Sequence, residues 1–281
     1  MGSRFVDALT LGPRRRRRSM MRRLKELDRL DAGRSRRSAR RPVSALTRVM
    51  LTLLSITVAA GLTLTLQLGW HIGLDGIRGP SALGAPPPVP TGEGGYAFTR
   101  TQPLDHDRPV TYSPCRAIHV VINDAQAPGG STGVVEEALA RVSELTGLRF
   151  TVDGTTDESP GTRARHAEQP VLIAWTTPSE VADLEGDVAG LGGSTSVASS
   201  SLTPIERYVS GQVSLDAPQL AEVIERPEGR NQVRAIVMHE LGHLVGLDHV
   251  NDPAQLMFAK NSGATDFGDG DKRGLALLGQ G

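Results

Sequence analysis

Eleven residues constrain this chain more than any other stretch: His239-Glu240-Leu241-Gly242-His243-Leu244-Val245-Gly246-Leu247-Asp248-His249. His239 and His243 are four apart, so on a helix both imidazoles leave from one face, one turn apart. The apolar residues around them (Val233, Ile236, Val237, Met238, Leu241, Leu244, Val245) predict a buried helix over about 231–245. Such a helix does not bury two imidazoles and a carboxylate without something to compensate them. A divalent ion suits that role. Two nitrogens at this spacing grip one zinc, and Glu240 reaches the metal-bound water rather than the metal. Gly246 tolerates a positive φ, so the chain can leave the helix there and swing His249 back as a third ligand. Three nitrogen ligands leave the fourth position open, as in catalytic rather than structural zinc sites.

The other end of the chain answers to a different environment. Net charge is zero over 281 residues, with 31 basic and 31 acidic side chains. Residues 1–48 hold 16 basic and 4 acidic groups, a net +12, which leaves 15 and 27, a net −12, for residues 49–281. Val49 to Trp70 is an uncharged run of 22 residues. As a helix it would be about 33 Å long, enough to cross a bilayer. Trp70 ends it where an interfacial aromatic would sit. Arg40, Arg41 and Arg48, with Arg14 to Arg18 further out, place the N-terminus in the cytoplasm by the positive-inside rule. A cleaved signal peptide is the competing reading. Its n-region would be unusually long, and no A-x-A site follows Trp70, so an uncleaved signal anchor is preferred. The basic tail reads as a solvated segment that sets topology, and Phe5 is its one aromatic, so no nucleic-acid partner is expected.

The expected organisation is a basic cytoplasmic tail (1–48), a transmembrane anchor (49–70), a Pro/Gly-rich linker (71–95) and a catalytic domain (96–281). Pro86, Pro87 and Pro88 sit in a stretch without periodicity and read as an extended spacer. In the domain, strands are predicted over 117–123, 148–152, 171–175 and 208–215, and a helix over 132–146 that stops at Gly147. The Gly- and Ser-rich stretch 188–201 reads as loop. This order predicts an α+β or mixed α/β fold. Cys115 is the one cysteine, which excludes an intrachain disulfide and a Cys-rich zinc site.

The extended HExxHxxGxxH pattern resembles the metzincin zinc signature, and the form HELGHLVGLDH followed by VNDPAQLM resembles its matrixin branch. The resemblance implies a zincin-like catalytic domain: a twisted mixed sheet, two long helices, a methionine turn at Met257 and a C-terminal helix, here 272–278. It also implies His239, His243 and His249 as zinc ligands and Glu240 as the catalytic base. Some features depart from the family. Phe258 stands where some metzincins carry a tyrosine ligand, there is no PRCGxPD switch segment, and His119 and His166 are isolated rather than part of a second zinc site. Asp153, Asp187 and the acidic stretch 266–271 are candidates for structural calcium but lack EF-hand spacing, so a solvated acidic loop is the preferred reading.

The expected function is a membrane-anchored zinc endopeptidase whose domain faces outward, either held at the cell surface or released by cleavage. Its partners would be protein or peptide substrates and the bilayer. A metal-containing binding module of the same fold is the alternative, and a tail-driven tether a third. An extended substrate would add to a strand edge in 190–201 or 208–215. Oligomeric state is unreadable.

Overall fold

The computed structural model describes residues 81–84, 87–163, 169–199 and 204–281. The tail, the 49–70 run and His166 lie outside them. Among the described residues no helix is long and apolar enough to cross a membrane.

In chain order the strands and helices are β1 (Ala97–Phe98), β2 (Thr101–Gln102), β3 (Asp105–Pro109), β4 (Thr111–Tyr112), β5 (Ile118–Asn123), α1 (Val134–Thr146), β6 (Phe150–Thr155), β7 (Val171–Thr176), β8 (Gly190–Ala198), β9 (Glu206–Asp216), α2 (Ala217–Ile224), α3 (Gly229–Val245), β10 (Leu247–Asp248) and α4 (Asp269–Leu278). The main sheet is mixed. β6, β5, β7 and β9 run parallel in that spatial order, β4 extends the line beside β9, and β8 pairs antiparallel with β9. β7 is buried along its whole length, as its run Val-Leu-Ile-Ala-Trp-Thr requires of a central parallel strand.

Each helix has a local cause. α1 turns Val134, Val135, Ala138, Leu139 and Val142 toward the core. It ends at Gly147, whose φ of 74° and N–H to the Ser143 carbonyl (2.8 Å) make a left-handed cap. Asp216 caps α2 by accepting from the Gln219 N–H at 3.1 Å. α3 packs against α1 on one side and β8 on the other, so it is enclosed nearly all round and carries little amphipathic contrast. Burying Leu241, Leu244 and Val245 stabilises this layer by about 1.5–3 kcal/mol for each side chain.

Two expectations change. Within the stretch 188–201, expected to be loop, residues Gly190–Ala198 form a nine-residue strand, β8, in register from Gly190↔Leu215 to Ala198↔Glu206 with a shift at Thr195/Ser196. Its composition hides it because glycine and serine have weak strand propensity. Two of its glycines, Gly190 and Gly192, allow close contact: a Cβ on Gly192 would drive into the Glu240 carbonyl of α3. The spacer is the second. Part of 81–95 lies on the domain, with the Leu83 N–H on the Pro114 carbonyl at 2.9 Å and the Gly94 carbonyl accepting from Arg273. Cys115 lies just before β5 and is half-buried.

Candidate metal centre

α3 presents His239 and His243 on one face, as the four-residue spacing requires. The helix closes at Gly246, whose N–H reaches the Gly242 carbonyl (3.1 Å) and the His243 carbonyl (3.2 Å). Its φ of 123° is a conformation L side chains rarely adopt. The chain reverses there into β10 and returns His249 to the helix face. The three Nε2 atoms form a triangle with every side 3.1 Å.

Backbone carbonyls orient two of the rings. His239 Nδ1 donates to the Leu256 carbonyl at 2.7 Å, and His243 Nδ1 to the Leu247 carbonyl at 2.9 Å. A carbonyl can only accept, so the proton of each ring sits on Nδ1 and the lone pair on Nε2. Two lone pairs then face each other across 3.1 Å without a hydrogen between them, an arrangement that a shared cation relieves. A point about 2 Å from all three nitrogens, the usual zinc–nitrogen distance, exists beside the triangle. Burial, and next the neighbouring His243, push His239 down to about 4, which keeps the ring neutral. Burial lowers His243 as well. Among the described residues this is the one cluster of three or more His, Cys, Asp or Glu groups able to share an ion.

Glu240 is 6 % exposed. Burial pushes its carboxyl up to about 8, against the lowering effect of a hydrogen bond from the Gly192 N–H. A divalent cation in the triad would act against that rise and favour the carboxylate. Glu240 and the triad border a cavity of about 530 Å³ that continues between Ile236 of α3 and the loop through Phe258 and Ala264. Ala189 to Gly192 form its other wall. Of the two candidate substrate strands, β9 is paired on both sides and can accept no further strand, whereas β8 pairs with β9 alone among the described residues.

Met257 is buried beneath the site, and a Cβ on Gly242 would meet its Sδ at 2.6 Å. The residue that sequence reasoning missed is Asp271. Its place in the acidic stretch 266–271 suggests a solvated loop, yet it is 1 % exposed. Its Oδ2 accepts from the N–H groups of Leu256 (2.6 Å), Gly268 (3.1 Å) and Met257 (3.4 Å). It thereby holds the peptide whose carbonyl orients His239. Burial raises its carboxyl to about 6. An acidic residue in the first turn of α4 was a visible signal; the loop it caps is remote in sequence. The other calcium candidates are also engaged: Asp266 receives both forks of Arg141 (3.0 and 2.7 Å), and Asp153 pairs with His119 at 2.9 Å. Asp187 lines the cavity.

Gly192→Ala is expected to separate β8 from α3, because the added methyl meets backbone rather than a mobile side chain. Overpacking of this kind costs about 1–3 kcal/mol, and it draws the Gly190 wall away from the Glu240 side chain. Urea unfolding and kcat measured on the same preparation check it; a variant with wild-type stability and turnover would contradict the close approach.

The matrixin family model matches residues 123–275, more than half of the chain. No curated protein sequence matches it. Three solved structures similar to this chain are the GM1-bound form of the ECX AB5 holotoxin (13 % identity, 58 % of this chain and 80 % of that chain, TM-score 0.36), archaemetzincin from Methanopyrus kandleri (17 %, 55 % and 84 %, 0.31), and high choriolytic enzyme 1, a hatching enzyme zinc-protease from the medaka fish Oryzias latipes (16 %, 47 % and 44 %, 0.25). The assignment rests on the family model: the chain belongs to the matrixins, and is a zinc metalloendopeptidase acting on protein or peptide substrates.

Proposed function

We propose that His239, His243 and His249 hold the zinc, that Glu240 is the general base and acid of peptide hydrolysis, and that the domain works outside the cell behind the 49–70 anchor. The observation that carries the site is the 3.1 Å triangle of imidazole nitrogens in one cavity with a buried carboxylate. When bound, zinc supplies Lewis acidity, which makes a water easier to deprotonate and polarises a peptide carbonyl. An extended substrate adds to the open edge of β8, where backbone groups from Ala189 to Gly192 fix the register of the scissile bond. Glu240 takes the proton of the attacking water on a carboxylate oxygen and returns it to the nitrogen of the departing amine. Glu240 borders the same cavity as the three imidazoles, with Gly190 packed on its side chain.

The anchor reading rests on the uncharged run of 22 residues and the arginines before it. Lipid would then be a standing partner, and release of the domain would need cleavage within the linker.

Zinc-loaded full-length chain, mixed with a peptide library, is expected to cut internal bonds. Expressed in cells, it should sediment with membranes and lose its domain to added external protease. An untouched library from folded, zinc-loaded protein would favour the binding-module reading. A soluble full-length chain would remove the anchor while leaving the peptidase reading in place.

A further inference from the structure

We propose that Thr99 is a positioning residue for the metal centre, acting through the turn at Gly246 on the two ligands that flank it. The inference rests on reading His243 and His249 as zinc ligands.

The strap that enters the domain from the linker side ends in β1, and β1 pairs antiparallel with β10, the two residues immediately before His249. The register is Ala97↔Asp248 and Phe98↔Leu247. One residue further, the Thr99 N–H donates to the Gly246 carbonyl at 3.0 Å, and the Thr99 hydroxyl lies 3.3 Å from the same oxygen. That hydroxyl also bonds the Tyr208 hydroxyl at 3.0 Å, which ties the turn to β9. Thr99 therefore holds one carbonyl with two donors, at the single residue where the chain abandons α3.

Two consequences reach the ligands. In an antiparallel pair, hydrogen-bonded and non-bonded positions alternate. The bond at 99/246 makes 98/247 a non-bonded pair, so the Leu247 carbonyl faces away from β1. There it accepts the His243 Nδ1–H at 2.9 Å. His249 follows two residues later, its own N–H on Asp248 Oδ1 at 2.7 Å, and it is exposed, with no core packing to hold it. Its direction is set by the path of β10. A displacement of Leu247, whose N–H shares a peptide with the held Gly246 carbonyl, would move the acceptor of one ligand and the backbone of the other together. The β-carbon side of Gly246 is already closed by Leu278, Tyr208 and the Val110 carbonyl, so Thr99 completes the enclosure of the turn.

The test uses the full-length chain with three substitutions: Thr99→Val, Thr99→Ser and His249→Ala. Thr99 is itself exposed, so exchanging its hydroxyl for a methyl opens no core cavity. Zinc affinity is read by competition with a chromogenic chelator, the ligand field by the visible spectrum of the cobalt-substituted protein, and turnover by kcat and KM on one peptide. Thr99→Val is expected to weaken zinc about 10-fold, as loss of an orienting contact around a ligand does. It should shift the cobalt bands and lower kcat with KM unchanged; Thr99→Ser restores all three. Unchanged affinity and spectrum in Thr99→Val, with His249→Ala weakened, would overturn the proposal while leaving the ligand set intact. Equal affinity in His249→Ala and wild type would overturn the ligand reading and the proposal with it. If Thr99→Val is recovered unfolded, Thr99→Ala removes the same hydroxyl without placing a second branch on the β-carbon, and is read by the same criteria.

Discussion

Glu240→Gln is expected to keep its zinc and to lose turnover by about 10²–10⁴-fold, the range that a positioned general base supplies. The amide matches the carboxyl in size, so the wall made by Gly190 and Gly192 has no new volume to accommodate. The amide is neutral, so it avoids the burial penalty that pushes the native carboxyl up to about 8; the variant should therefore be no less stable. What it lacks is a site for the proton of the attacking water. Metal analysis and steady-state kinetics on one preparation decide the matter. Turnover close to wild type with zinc bound would remove Glu240 from the reaction.

Stripping the metal should abolish activity and lower Tm by roughly 10 °C, both restored by stoichiometric zinc. The estimate follows from mass action: a ligand at about 1,000 times its Kd stabilises by about 4 kcal/mol, and a domain of this size loses about 2–4 °C for each kcal/mol. The direction follows from the site itself. Without a cation, the Nε2 lone pairs of His239 and His243 face each other at 3.1 Å, held there by the Leu256 and Leu247 carbonyls. Those carbonyls belong to Met257's turn and to β10, so relaxation of the rings loosens both segments. Scanning calorimetry before and after dialysis against a strong chelator reads the shift. An unchanged Tm in protein shown to be metal-free would mean that the triad does not couple metal to the fold.

The legible parts of the molecule are those governed by local rules. Val134 to Val142 repeats at helical spacing and forms α1; the unbroken apolar run at 171–175 forms the central strand β7. β8 was missed because its residues answer to a partner rather than to strand propensity. Gly190 and Gly192 are small because α3 passes against them, and that approach appears in no window of sequence around them. The short pieces β1 and β10, two residues each, carry no periodicity at all, yet they enclose the turn before His249.

The centre divides along the same line. Helical period and one glycine determined, from sequence by itself, that His239 and His243 share a face, that Glu240 lies beside the first of them, and that the chain can turn back at Gly246. Only tertiary structure decided which carbonyls orient the rings, which buried carboxylate secures the Leu256–Met257 peptide, and which strand edge is left unpaired among the described residues. The reason is physical. Spacing along a helix is a property of consecutive residues, whereas Leu247, Leu256, Asp271 and Gly192 meet the site through backbone groups that any residue possesses and that only folding brings into place.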